Sequence, residues 1–267
     1  MLAGNLGRSR CVRSGVTDLG RSLSFPFRHP AWLGRVLIGA ALEIVPVLFA
    51  LPLILSMARM RHHFAFHFLA LVPIVVLVGL LCRFLVLGYL RRTAKGVLDG
   101  TADGLPAWDR PAEDIVEGLK LWLVSGILFL PAIGFTAALT LLFMALTSPH
   151  MAWLPLVVVG MPALLVTLFY LPAGLLATVA EDDILAAFAF DRVAGVMGRA
   201  FGAYLLAILV AIGAEILAQL GLVICCVGIF ATRFAAHCVG AHAFAVAYRQ
   251  GMPAPLPPPE PPVGLGI

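Results

Sequence analysis

The chain has 267 residues, 61% of them hydrophobic and only 12% charged, with a formal net charge of +4. A soluble domain is about a quarter charged, so this balance excludes an ordinary soluble globular protein; recurrent apolar runs of about 20 residues, each able to cross a hydrocarbon core about 30 Å thick, point to a polytopic membrane protein. The excess arginine flanks those runs as topogenic charge does, so the expected partner is the lipid bilayer and not nucleic acid.

Residues 1–21 are basic and lack the apolar core of a signal peptide, so insertion is expected to begin at the first true span. Residues 22–250 form the membrane domain, with spans expected at about 33–58, 64–90, 118–146, 152–179, 200–223 and 226–248. The spacing pairs these into three hairpins of an all-α fold. Residues 251–267 are proline-rich and are expected to form an extended, disordered tail.

The basic residues assign the two sides. One side collects Arg8, Arg10, Arg13, Arg21, Arg28 and Arg35, then Arg91, Arg92, Lys95, Arg110 and Lys120, then Arg192, Arg199 and Arg249; the other holds only Arg59 and Arg61. Both termini are therefore expected in the cytoplasm, with the protein in the inner (plasma) membrane of the cell. Segment 22–32 should lie at the interface, anchored by Trp32. Loop 91–117 should continue the second span to about Gly100, turn through Leu105–Asp109 and restart as helix at Pro111, where proline with Glu113 and Asp114 suits a first helical turn. Residues 184–200 read as an interfacial helix, with Ile184, Phe188, Val196 and Met197 apolar against Asp191, Arg192 and Arg199.

Four ionisable residues lie inside the spans: Glu43, Arg83, Glu215 and Arg233. Each would cost roughly 2.5–3.5 kcal/mol alone at the centre of a spanning helix, so each needs a partner or a task. Counting from Arg35 and Arg91, Glu43 and Arg83 both lie about 12 Å in; counting from Arg199 and Arg249, Glu215 and Arg233 both lie about 24 Å in. The matched depths predict two ion pairs, Glu43–Arg83 and Glu215–Arg233. In the third hairpin, Ala203, Ala207, Ala211 and Glu215 repeat every fourth residue, as do Arg233, His237, Ala241 and Ala245. Laid antiparallel, these form a small-residue seam, with His237 opposite Ala211 and hydrogen-bonded within the seam. The charges then have two readings: a register-fixing structural lock, or a proton or ion relay.

Other chemistry is thin. His62, His63 and His67 cluster at the far end of the second span without acidic or cysteine partners, which suits solvated interface histidines. The five cysteines lack CxxC or Cys/His spacing, and there is no phosphate-binding glycine loop, nucleophile elbow or HExxH motif. No catalytic residue, cofactor or metal is expected.

Several segments resemble the DUF4013 membrane proteins: Phe-Pro-Phe-Arg-His-Pro-Ala-Trp at 25–32, Gly88-Tyr89 with Arg91-Arg92, Leu-Pro-Ala-Trp-Asp at 105–109, Glu117-Gly118-Leu119-Lys120, and Gly240-Ala-His through Tyr248-Arg249. The resemblance extends over about residues 18–250 and implies a bacterial or archaeal integral membrane protein of uncharacterised function, with no catalytic residues to transfer. The expectation is a non-enzymatic membrane component, a scaffold or assembly partner working with another membrane protein or as a homo-oligomer. The alternative is a small-solute or ion transporter using Glu43 and Glu215.

Overall fold

The computed structural model describes residues 20–58, 65–146, 151, 153–224 and 228–253. The basic segment before residue 20, Arg59 and Arg61, His62 and His63, and the proline-rich tail beyond 253 lie outside these residues. Every regular element described is helical, and six helices are long and apolar enough to cross a membrane. The chain is a multi-pass all-α membrane protein.

Helix α1 spans Trp32–Ala58, α2 Ala65–Leu98 and α3 Pro111–Leu146. The fourth span runs from Trp153 through a π turn at Leu156–Gly160 into α4, Met161–Glu181. A 3₁₀ turn at Ile184–Phe188 leads to the short amphipathic α5, Phe190–Arg199, which buries Val193 and Val196. Helix α6, Phe201–Gln219, and α7, Gly228–Gly251, complete the bundle. Helices α2 and α3 have 34 and 36 residues. At 1.5 Å per residue each exceeds 50 Å, so their basic ends stand clear of a hydrocarbon core about 30 Å thick.

The centre of the molecule is α7. It packs against α6, α2, α1, α5 and α4 and against the turn at Phe25–Phe27. It is the least hydropathic of the six spans and the most buried. Both follow from its composition: lipid offers no drive to bury leucine, so a helix is drawn inward by polar groups and by small residues that allow close backbone approach. Gly240, Ala236, Ala243, Ala245 and Ala247 are buried along it. Glycine serves the same end between α2 and α3. A Cβ on Gly88 would overlap the Asp114 carbonyl, and one on Gly118 would overlap the Phe84 carbonyl.

The basic ends are tied into one network. The Leu105–Asp109 loop folds back onto the bundle, with Leu105 only 1% exposed. Trp108 stacks on Tyr89 at 4.0 Å between ring centroids, and its indole N–H donates to the Arg35 carbonyl at 3.0 Å. The Tyr89 hydroxyl donates to the Pro106 carbonyl at 2.9 Å. Arg92 reaches both Asp109 and the buried Asp114 at 2.7 Å. Asp182, in the left-handed conformation just past α4, takes Lys95 at 3.0 Å and also Arg91.

Part of the segment expected to lie along the interface packs into the bundle. Phe25 is fully buried, its ring 4.3 Å from that of His242, and Ser22 Oγ lies 3.0 Å from His242 Nδ1. Phe25 and Pro26 fill a gap beside the small-residue helix, while Phe27 stays half exposed.

Candidate functional site

The intramembrane charges meet on one residue. His237, on the face of α7 between α1 and α6, places Nε2 3.2 Å from Glu215 Oε1 and Nδ1 3.5 Å from Glu43 Oε1. Neither expected ion pair forms: among the described residues no ion pair joins Glu43 to Arg83 or Glu215 to Arg233. Both arginines are exposed, and they act on Glu43 only through longer-range electrostatics.

The reason is directional. Side chains on a helix tilt toward its N-terminus, so residues at equal Cα height on antiparallel helices lean apart. Helix α6 starts at the basic side and α7 ends there. Glu215 therefore leans toward the basic side and reaches His237, one turn nearer that end than Arg233, while Arg233 leans away. The seam shifts in the same sense: a Cβ built on Gly240 would stand 3.6 Å from Ala211 Cβ. Further along, the Thr232 hydroxyl donates to the Ala218 carbonyl at 2.7 Å.

The separate depths of 12 and 24 Å also do not hold, because Glu43 and Glu215 share one imidazole. Arg35 is a poor depth marker. Its guanidinium is turned into the protein, donating to the Leu105 carbonyl and lying 3.2 Å from His29 Nε2. Helix α1 carries its charge for the fold and not for the lipid boundary.

An imidazole between two carboxylates sets an acid–base group where α1, α6 and α7 meet. The closer contact is Nε2 to Glu215; Glu43 Oε1 and His237 Nδ1, 3.5 Å apart, have no hydrogen-bond partner among the described residues.

Beside the trio is a cavity of about 290 Å³ between α2, α4, α6 and α7. Its walls are apolar except for Arg83, Arg91, Glu215 and His237. Arg91, held at 3.2 Å by Glu117 and also by Asp182, lines its end on the basic side. Arg83, Glu215 and His237 thus come together on one cavity, with Glu43 behind the imidazole; Arg233 is not part of its lining.

The remaining histidines divide. His242 lies on the opposite side of α7 from the cavity, against Ser22 and Phe25. His67 belongs to α2, and its side chain is outside the described set. Among the described residues no group of three His, Cys, Asp or Glu side chains is placed to hold a metal ion. Sequence reasoning missed the Tyr89–Trp108 stack, for which the Leu-Pro-Ala-Trp-Asp string was the available signal, and the buried Arg92–Asp114 pair.

No curated protein and no solved structure matches this chain. A family model described as "Protein of unknown function (DUF4013)" matches residues 68–227. That range takes in α2 through α6, hence the glycine crossing, the Leu105–Asp109 loop and Glu215, but not Glu43 or His237. The match covers more than half of the chain, which therefore belongs to the DUF4013 family.

Proposed function

We propose that this protein is a non-catalytic carrier of a small solute in the inner membrane of the cell, its basic side toward the cytoplasm, with Glu43–His237–Glu215 as its protonatable centre. The observation that carries this reading is the cavity ending on Glu215 and His237. Ionisable groups within spanning segments mark solute or proton paths when they face a cavity, and are merely structural when closed among themselves. Here Arg83 and Glu215 open onto the cavity and the expected Glu–Arg closure is missing. Walls that are apolar apart from a few charged groups suit a solute with an apolar body and one polar end.

A scaffold whose charges only fix register fits this arrangement less well, because it needs both acid–base pairs shut. Apolar exposure on the outer helices does not favour a scaffold, since lipid covers such faces in any membrane protein.

The test is accessibility from the two sides. Ala241 lines the cavity, so Ala241→Cys in a background with the five native cysteines replaced should react with a membrane-impermeant methanethiosulfonate reagent in both inside-out and right-side-out vesicles. Labelling from both sides supports alternating access. Labelling from one side only, or from neither, sinks the carrier reading.

A further inference from the structure

On the other side of α7 lies a second, chemically different concavity of about 230 Å³. It is formed where the lead-in segment, the end of α2 and the end of α7 converge, and Arg21, Arg28, Arg249, His242, Gly100 and Gln250 line it. Among the described residues, no acidic one does. Most of the basic side differs, although Arg35 and Arg199 also bond to backbone carbonyls and to no carboxylate among the described residues. Arg91, Arg92, Lys95, Arg110, Lys120 and Arg192 each have a carboxylate partner within 4.0 Å. Among the described residues, Arg21, Arg28 and Arg249 form no ion pair with a carboxylate.

The guanidinium groups of Arg28 and Arg249 are held in place without being neutralised. Arg28 Nη2 donates to the Arg21 carbonyl at 3.0 Å and to Ser24 Oγ at 3.3 Å; Arg249 Nη1 donates to the Val97 carbonyl at 3.0 Å. Each guanidinium has five donors, so most remain for a ligand. Gly100 has φ +72°, and a Cβ there would stand 3.6 Å from Arg249 Nη1. The turn that forms this wall thus requires a residue at ease in the left-handed region.

We propose that this pocket binds a phosphate group, with Arg28 and Arg249 as its principal donors and Arg21 as a third positive charge. Oriented guanidinium groups converging without an acid match a tetrahedral dianion or a phosphodiester, which accept paired N–H donors. At about 230 Å³ the pocket has room for a phosphate group. Such a phosphate comes either from a phospholipid headgroup at the membrane boundary or from solution. The site is independent of the carrier reading, because it lies on the opposite face of α7 and shares none of the cavity's residues.

The experiment is a thermal-melting titration of the whole purified protein in a neutral detergent. One arm adds inorganic phosphate and the other a short-chain phosphatidylglycerol, each against sodium chloride of equal ionic strength. A saturable rise in Tm in either arm is expected, and the arm that shows it identifies the source. R28Q/R249Q should weaken the apparent affinity by about tenfold or more per arginine removed. A rise equal in the wild type and in R28Q/R249Q overturns the site, as does no saturable rise in either arm. If R28Q/R249Q does not fold, R28K/R249K replaces it, keeping the charge but losing the paired donors; unchanged affinity in that variant also overturns the proposal.

Discussion

His237 Nε2 stands 3.2 Å from Glu215 Oε1 while Nδ1 of the same ring faces Glu43 at 3.5 Å, so one imidazole on the central helix joins the first and fifth spans. The contact makes His237 the keystone of the polar interior. Remove either carboxylate and the ring still has a partner. Remove the ring and two carboxylates face each other across the gap it leaves.

That asymmetry gives the first prediction. His237→Leu should destabilise the protein more than Glu43→Gln or Glu215→Gln, because it strands the mostly buried Glu43, and an uncompensated buried charge costs about 3–5 kcal/mol, while the half-exposed Glu215 adds less. The deficit lies in the stranded carboxylates and not in the volume of the ring. The triple variant His237→Leu with Glu43→Gln and Glu215→Gln should therefore recover a substantial part of the lost stability. Denaturation in mixed micelles measures this, and a triple variant no more stable than His237→Leu alone would show that the trio is not an electrostatic unit.

The helix crossing of α2 and α3 gives a prediction of a different kind. Gly88 and Gly118 each meet the partner helix's backbone, which cannot move aside as a side chain can. Gly118→Ala should cost about 1–3 kcal/mol by overpacking. On the same helix a Cβ at Gly126 would meet nothing within 4 Å, so Gly126→Ala should be neutral or slightly stabilising by up to about 1 kcal/mol. Equal Tm values for the two variants would refute the close crossing.

What the sequence made legible follows its strongest periodicities. Apolar run length located all six spans, and proline with two acids at 111–114 located the start of α3, because both are local signals. The four-residue alanine repeat on the last two spans foretold a tight seam, though not its register. Charge partners were not legible, since equal counting from Arg35 and Arg91 treats Cα height as side-chain height and treats every arginine as a boundary marker. The lean of helical side chains moved Glu215 one turn to His237. The third dimension brought Glu43 to the same ring from a helix far away in sequence. The cavity and the arginine pocket depend on which helix faces close on α7, which no spacing in the chain encodes.

The Leu105–Asp109 loop distinguishes two aspartates that look alike in the sequence. Asp114 is 1% exposed and meets Arg92 at 2.7 Å, whereas Asp109 meets the same guanidinium with more than half of its side chain exposed. Asp114→Ala should cost about 3–5 kcal/mol by leaving a partly buried arginine without its interior partner. Asp109→Ala should cost much less, as the loss of exposed pairs does. Trp108→Ala should fall in the severe class with Asp114→Ala, because it removes both the stack on Tyr89 and the donor to the Arg35 carbonyl. Thermal melting of the three variants separates the classes, and a mild Asp114→Ala would mean that the buried pair contributes no net stability.

The pH dependence of the basic side rests on Asp182. The hydrogen bond from Lys95, with the charges of Lys95 and Arg91, holds its carboxyl below the usual value of 3.8. A carboxyl with a depressed folded-state pKa contributes stability that is fully present above the unfolded value and is lost as pH falls through the folded one. This clamp between α2 and the end of α4 should therefore be intact at neutrality and weaken only below about pH 4. Asp182→Asn is the informative change, because asparagine also tolerates the positive φ of 54° at this position. The variant should melt lower than the wild type at pH 7 and approach it as the pH is taken below about 4. A Tm difference constant from pH 7 to pH 3 would show that the charge of Asp182 does not hold the clamp.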